Sequence, residues 1–189
     1  MIRSIRAAAV AIVCLAVIAC QQAPAGAQEV EGFSSADRAK VEARIAQLDR
    51  SVSSGDLAAA IDVVPPRIFQ IVAQRAGATE DELRTAIRQM VATQMQGVTV
   101  ESYDMDLSAA PPTRTPDGKR TYLLIPTTTV MAFPGVGRVR STTSTLALED
   151  GGEWYLVRID DANQVAILKE LWPEFSPVEF PAGTTEQLP

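Results

Sequence analysis

No histidine occurs anywhere in this chain of 189 residues. The commonest general base and the commonest zinc ligand are therefore missing. Cysteine is almost as scarce, and its two copies, Cys14 and Cys20, both sit at the N-terminal end. The body of the chain can form no disulfide, no cysteine–metal site and no catalytic thiol, so it has to rely on its apolar core. There is no Gly-rich phosphate loop, no serine nucleophile motif, no Walker sequence and no EF-hand spacing. No metal and no cofactor is implied. Basic residues are in deficit, 17 against 23 acidic, for a net charge of −6. Arg3 and Arg6 belong to the N-terminal leader, so the remainder is more acidic still. An acidic domain repels phosphate backbones and anionic headgroups, which argues against a nucleic-acid partner.

What is present starts with that leader. "MIRSIR" is a basic stretch, and "AAAVAIVCLAVIA" (7–19) is an uninterrupted apolar run. The run falls short of the roughly 20 residues that span a bilayer and fits the apolar centre of a secretory signal. The following "VIACQQAPAGAQ" (17–28) offers two cleavage sites. "VIAC" resembles the bacterial lipobox, with Val17 aliphatic, Ala19 small and then the cysteine. That resemblance implies an acylated Cys20, and Gln21 in place of an aspartate implies an outer-membrane destination. Two or more acyl chains would anchor the protein stably. The rival site follows Ala27, where Ala25 and Ala27 give the small-x-small pattern of ordinary signal peptidase, and Cys20 is then only a leader residue. Either site places the domain outside the cytoplasm.

The organisation expected is a leader over 1–19 (or 1–27), a polar tether over 20–33, an α+β domain over 34–175 and a C-terminal tail over 176–189. Ser34 or Ser35 offers an N-cap, and Val41, Ile45, Leu48 and Val52 form one helical stripe up to Gly55. Asp56 caps a short second helix, "LAAAIDVV". Pro65 and Pro66 break it, and Pro66 opens the next helix, "PRIFQIVAQRA", which Gly77 closes. Thr79 and Glu82 make a capping box ahead of "LRTAIRQMVATQM", with Leu83, Ile87, Met90, Val91 and Met95 inward.

The period then changes. Strands are predicted over "VTVESYDMDL", "RTYLLIPTTTVMAF", "RVRSTTSTLALE" and "EWYLVRI", with Pro126 marking an edge or bulge and "DGG" a tight hairpin. Asp161 caps a last helix, "ANQVAILKELW", which Pro173 ends. One more short strand, "VEF" (178–180), is expected in an otherwise loose tail. Helices followed by a meander of about four antiparallel strands make an α+β domain, with one face of a curved sheet buried against the helices.

"LDRSVSSGDLAAAIDVV" and "DGGEWYLVRID" resemble the first helix with its Gly-Asp step, and the closing strand, of the nuclear-transport-factor-2-like superfamily. This family is also called cystatin-like or ketosteroid-isomerase-like. The resemblance covers most of residues 35–160, and the helix after 161 departs from it. It implies a cone of curved sheet closed by helices. Its members include isomerases, dehydratases, adaptors and lipid carriers, so fold alone selects no activity. Its enzymes use an inward Asp with a Tyr or acid donor, or an Asp–His pair, and the pair is impossible here.

Asp104 is the candidate for the inward acid. Strand alternation sets it opposite Tyr103 and Met105, which predicts a solvent-facing carboxylate. Tyr122 and Tyr155 are the other pocket candidates, weighed against plain sheet-filling aromatics. Trp154 and Tyr155 are adjacent, so one is core and the other is not. Arg138, Arg140 and Arg158 are expected to pair with Glu149, Glu153 or Asp160, or else to form a strip for an anionic ligand. "TTT" (127–129) and "STTST" (141–145) read either as a solvated outer face or as hydroxyls in a cleft or dimer interface.

The function expected is an exported, lipid-anchored envelope protein that binds a partner protein or a small apolar ligand. It would touch the membrane only through its anchor and could pair as a homodimer through the sheet. The alternatives are an isomerase- or dehydratase-like enzyme in the cone and a periplasmic lipid carrier.

Overall fold

The computed structural model describes residues 32–189. The leader, Cys20 and all but the end of the tether lie outside the described residues.

Helix α1 spans Ser35–Ser53. Ser34 caps it by accepting from the Asp37 amide, while the Asp37 carboxylate accepts from the Ser34 amide, which satisfies two orphan donors reciprocally. Asp56 caps the short second helix, which is a 3-10 helix over Leu57–Val63. Only seven residues separate Asp56 from Val64, and Pro65 stops the turn before it can lengthen. Helix α2 (Pro66–Ala76) begins on Pro66 and ends at Gly77 in the left-handed region, φ 67°. Helix α3 (Glu80–Gln94) starts with the Thr79–Glu82 capping box.

Six strands form one antiparallel sheet: β1 (Thr99–Met105), β2 (Thr113–Arg114), β3 (Thr121–Phe133), β4 (Gly137–Asp150), β5 (Glu153–Arg158) and β6 (Thr184–Leu188). The long β3–β4 hairpin is its spine. β1 and β2 lie end to end along β3, and β5 and β6 lie end to end along β4. The β4–β5 turn uses Gly151 and Gly152, both at positive φ, as a two-residue hairpin of this twist requires. Pro126 is neither on an edge strand nor at a bulge. Its carbonyl accepts from the Asp106 amide in the interval between β1 and β2, so its missing N–H points into that interval and removes no bond to β4.

The sheet curls, and both of its faces are buried, where the sequence predicts one. The concave face packs Leu123, Ile125, Ala147, Trp154 and Leu156 against Val41, Ile45 and Leu48 of α1. The convex face packs Tyr122, Leu146, Leu148 and Val157 against Leu168 of α4 (Ala162–Leu171) and then Trp172, Phe175 and Val178. Each such buried side chain contributes about 1.5–3 kcal/mol.

The tail is part of this domain. Its strand is Thr184–Leu188, not 178–180. Val178 and Phe180 are spent instead on the convex core, and Arg140 pairs with Glu186 across β4–β6. Packing and strand pairing thus extend past residue 175 as far as β6.

Candidate functional site

A cavity of about 520 Å³ lies between the helices and the concave face. Leu48 and Val52 of α1, Leu57 and Ile61 of the 3-10 helix, and Val91 and Met95 at the end of α3 form its helical wall. Val100, Tyr103, Thr129, Met131, Thr145 and Leu156 form the sheet wall. Leu156 and Val157 are neighbours on β5 and lie on opposite faces, yet both border the cavity. The space therefore passes round the free edge of β5, towards Ile68 of α2 and Gln164 and Ile167 of α4. A second opening of similar size, lined by Ser54, Asp56, Val98 and Thr99, shares Val52, Leu57, Val91, Met95 and Val100 with the first.

The helical wall is unevenly held. α1 crosses the sheet with Val41 fully buried and Trp154 donating its indole N–H to Asp37 at 3.0 Å. α3 buries no residue at all, and packs on α2 and the 3-10 helix. Its attachments there include polar ones. Arg88 donates to Asp62 at 2.7 Å and to the Ala58 carbonyl at 3.3 Å, and the Arg84 guanidinium lies 3.9 Å from the Phe69 ring centroid. Asp62 is exposed and serves as the anchor for these two arginines.

No Asp, Glu or His lines the main cavity, and Arg158 is its single charged lining residue. The polar atoms are few: the Tyr103 hydroxyl, the Thr129 and Thr145 hydroxyls, and the amides of Gln94 and Gln164. Thr145 is occupied, since its Oγ1 lies 2.9 Å from that of Thr127, which donates to the Ile125 carbonyl at 3.0 Å or shares its proton with Thr145. Tyr103 makes no hydrogen bond to another described residue. Burial raises its pKa to about 12, with Asp49 adding to the rise and Arg158 opposing it. Asp49 is itself pushed up, first by desolvation and then by Asp104. Among the described residues no group of three or more His, Cys, Asp or Glu is placed to hold a metal ion.

The residues singled out from the sequence fare differently. Asp104 is exposed, on the face away from the cavity, as alternation requires. Tyr122 is not in the cavity. It is buried in the convex core, edge-on to Phe175 at 5.3 Å between ring centroids. Tyr155 also stays outside the cavity, with the Arg44 guanidinium 5.0 Å from its ring centroid. Trp154 is the core member of its pair. None of the three arginines makes the pair expected across neighbouring strands with Glu149, Glu153 or Asp160: Arg158 pairs with Asp160 only two residues along its own chain segment. Arg138 pairs with Glu101 at 2.8 Å and Arg140 with Glu186. The hydroxyl runs divide by alternation: Thr127, Thr143 and Thr145 are buried, and Thr142 is exposed. The residue missed as a site candidate is Tyr103, although its inward position was already legible in the strand pattern.

Comparison with protein-family models, curated proteins and solved structures finds no match to this chain.

Proposed function

We propose that this protein is an exported, lipid-anchored envelope protein that holds a small apolar molecule in its concave cavity. One observation carries the reading. The cavity of about 520 Å³ falls within the roughly 300–1,000 Å³ range of small-molecule sites, and its wall is apolar apart from a few separated polar groups. Such a wall favours burying an apolar body and fixing it at one or two points. A partner protein docking by side-chain insertion has no need of a recess of this size.

The isomerase-like alternative asks for a carboxylate in the cavity beside a hydroxyl donor, and the main cavity's lining includes none. The carboxylate nearest in charge to the Tyr103 donor, Asp49, is not among the lining residues. The curved sheet closed by helices is in keeping with the nuclear-transport-factor-2-like resemblance, which we retain as a proposal for the fold family. Export and anchoring rest on the leader sequence and "VIAC".

Mass spectrometry of the full-length gene product, purified from a Gram-negative envelope, tests both parts. The expected denatured mass begins at an acylated Cys20. A mass beginning at Gln28 would replace the anchored reading with a free periplasmic one. The expected native mass exceeds the denatured mass by one small molecule. Equal masses, together with no uptake of added apolar probes, would remove the cavity reading.

A further inference from the structure

We infer that the molecule taken into the cavity is an anionic amphiphile, a carboxylate on an apolar chain, with its headgroup held by Arg158 and Tyr103. This rests on the cavity reading above and adds the sign of the headgroup.

Charge complementarity is the first argument. Among the lining residues of the main cavity one side chain is charged, and it is a cation. Arg158 stands at the last position of β5, opposite Thr145 in the register, on the concave side. Two of its nitrogens are engaged: Nε donates to Asp160 Oδ1 at 3.2 Å and Nη2 donates to Asp160 Oδ2. Nη1 has no partner among the described residues. A guanidinium has five donors in a planar fork, so one edge can hold Asp160 while the other accepts a second carboxylate. Asp160 is not itself part of the cavity wall.

The second argument is Tyr103. Its hydroxyl is unpartnered, faces the cavity, and stays protonated until about pH 12 because burial penalises the phenolate. A hydroxyl held protonated is a donor at every physiological pH. Asp49 and Arg158 are both near enough for their charges to act on that hydroxyl, in opposite senses. Two donors, one cationic and one neutral, thus border the same largely aliphatic space, with the Arg158 side chain 58% exposed to solvent. A cationic headgroup would meet Arg158 in the wall, while the two acids nearest these donors, Asp160 on Arg158 and Asp49 towards Tyr103, lie outside the cavity lining. A neutral alcohol would use Tyr103 but gain nothing from the guanidinium. A carboxylate uses both, and its charge-assisted bond is the stronger one.

The test is calorimetric titration of the purified full-length chain with dodecanoate, dodecanol and dodecyltrimethylammonium, each below its aggregation concentration. Dodecanoate is expected to bind one to one, about tenfold or more tighter than dodecanol. The ammonium compound is expected to bind more weakly than the alcohol. Arg158→Gln is expected to erase the preference for the acid while leaving dodecanol binding within about twofold, which a misfolded variant would not do. Tyr103→Phe is expected to weaken acid and alcohol together. If all three compounds bind equally and Arg158→Gln changes nothing, the cavity reading stands and the anionic headgroup is overturned. If none binds, the cavity reading itself is overturned.

Discussion

Trp154 and Asp37 stand 117 residues apart in sequence and meet at 3.0 Å, indole N–H to carboxylate. Asp37 is also the third helical residue of α1, where it completes the capping box with Ser34. One side chain therefore starts the helix and ties it to β5. Lys40 and Arg44 of the same helix add bonds to the Gly152 and Trp154 carbonyls, the latter on the free edge of β5. Arg44 thereby satisfies one backbone acceptor on an edge that would otherwise offer it for strand pairing.

Asp37→Ala is expected to cost about 2 kcal/mol, combining a lost cap contribution with an indole donor left without its partner. The bonds from Ser34 and Trp154 hold the Asp37 carboxyl below its ordinary value. A depressed carboxyl stabilises the fold above its unfolded-state pKa, near 3.8. The contribution is lost as pH falls through the lower folded value. Urea denaturation at neutral pH should therefore separate variant from parent, and the gap should narrow below about pH 3. A gap that stays constant into acid would assign the loss to packing alone.

Tyr103 gives the opposite limb of the pH profile. Its folded pKa, about 12, lies above the ordinary value of 10.0. Stability is unaffected below pH 10 and falls as pH rises from there towards 12, by up to about 3 kcal/mol, because the unfolded chain ionises first. Phenolate absorbance should show a tyrosine that resists ionisation near pH 12 and disappears in Tyr103→Phe. Tyr122 is also raised, by burial alone, so that variant should retain one late-titrating group.

Phe175→Ala removes a fully buried ring packed on Tyr122 and Phe180, and is expected to cost about 3–5 kcal/mol. Ending the chain after Ser176 deletes Val178, Phe180 and β6 together, and is expected to lower the melting temperature by many degrees. A tail that merely trailed from the domain could be removed at no cost, so a melting temperature unchanged by truncation would contradict the packing described here.

Tyr122→Phe and Tyr155→Phe serve as controls on the site. Neither hydroxyl lines the cavity, so both variants are expected to bind dodecanoate within about twofold of the parent, against a clear loss for Tyr103→Phe.

The helices and strands were legible because local signals agree along the chain. Ser34, Thr79 and Asp161 cap, Pro66 and Gly77 bracket α2, and Gly151–Gly152 turns the hairpin. The path of the tail was not legible. "VEF" has strand composition, but the open stretch of β4 at Arg138–Thr142 lies beyond its reach once Val178 is committed to the convex core, and nothing local to the tail reveals that competition. The site was half legible. Alternation turned Asp104 out and Tyr103 in, and it set Trp154 against Tyr155. It did not reveal that Tyr122 would be covered by Phe175, because that face is buried by residues fifty positions downstream. A cavity also leaves no mark in a sequence, since the same aliphatic residues fill a core or line a space according to how far α1 and α3 stand from the sheet.

The most direct test is to fill that space. Val91 lines the cavity from α3, the helix that buries no residue, so Val91→Trp should be tolerated by the fold. Titration of an apolar anilinonaphthalene fluorophore into parent and variant then reads the cavity itself. The account predicts saturable one-to-one binding to the parent and binding at least about tenfold weaker to Val91→Trp, at a melting temperature within a few degrees of the parent's. Equal binding to two equally folded proteins would place the apolar molecule elsewhere and contradict the account.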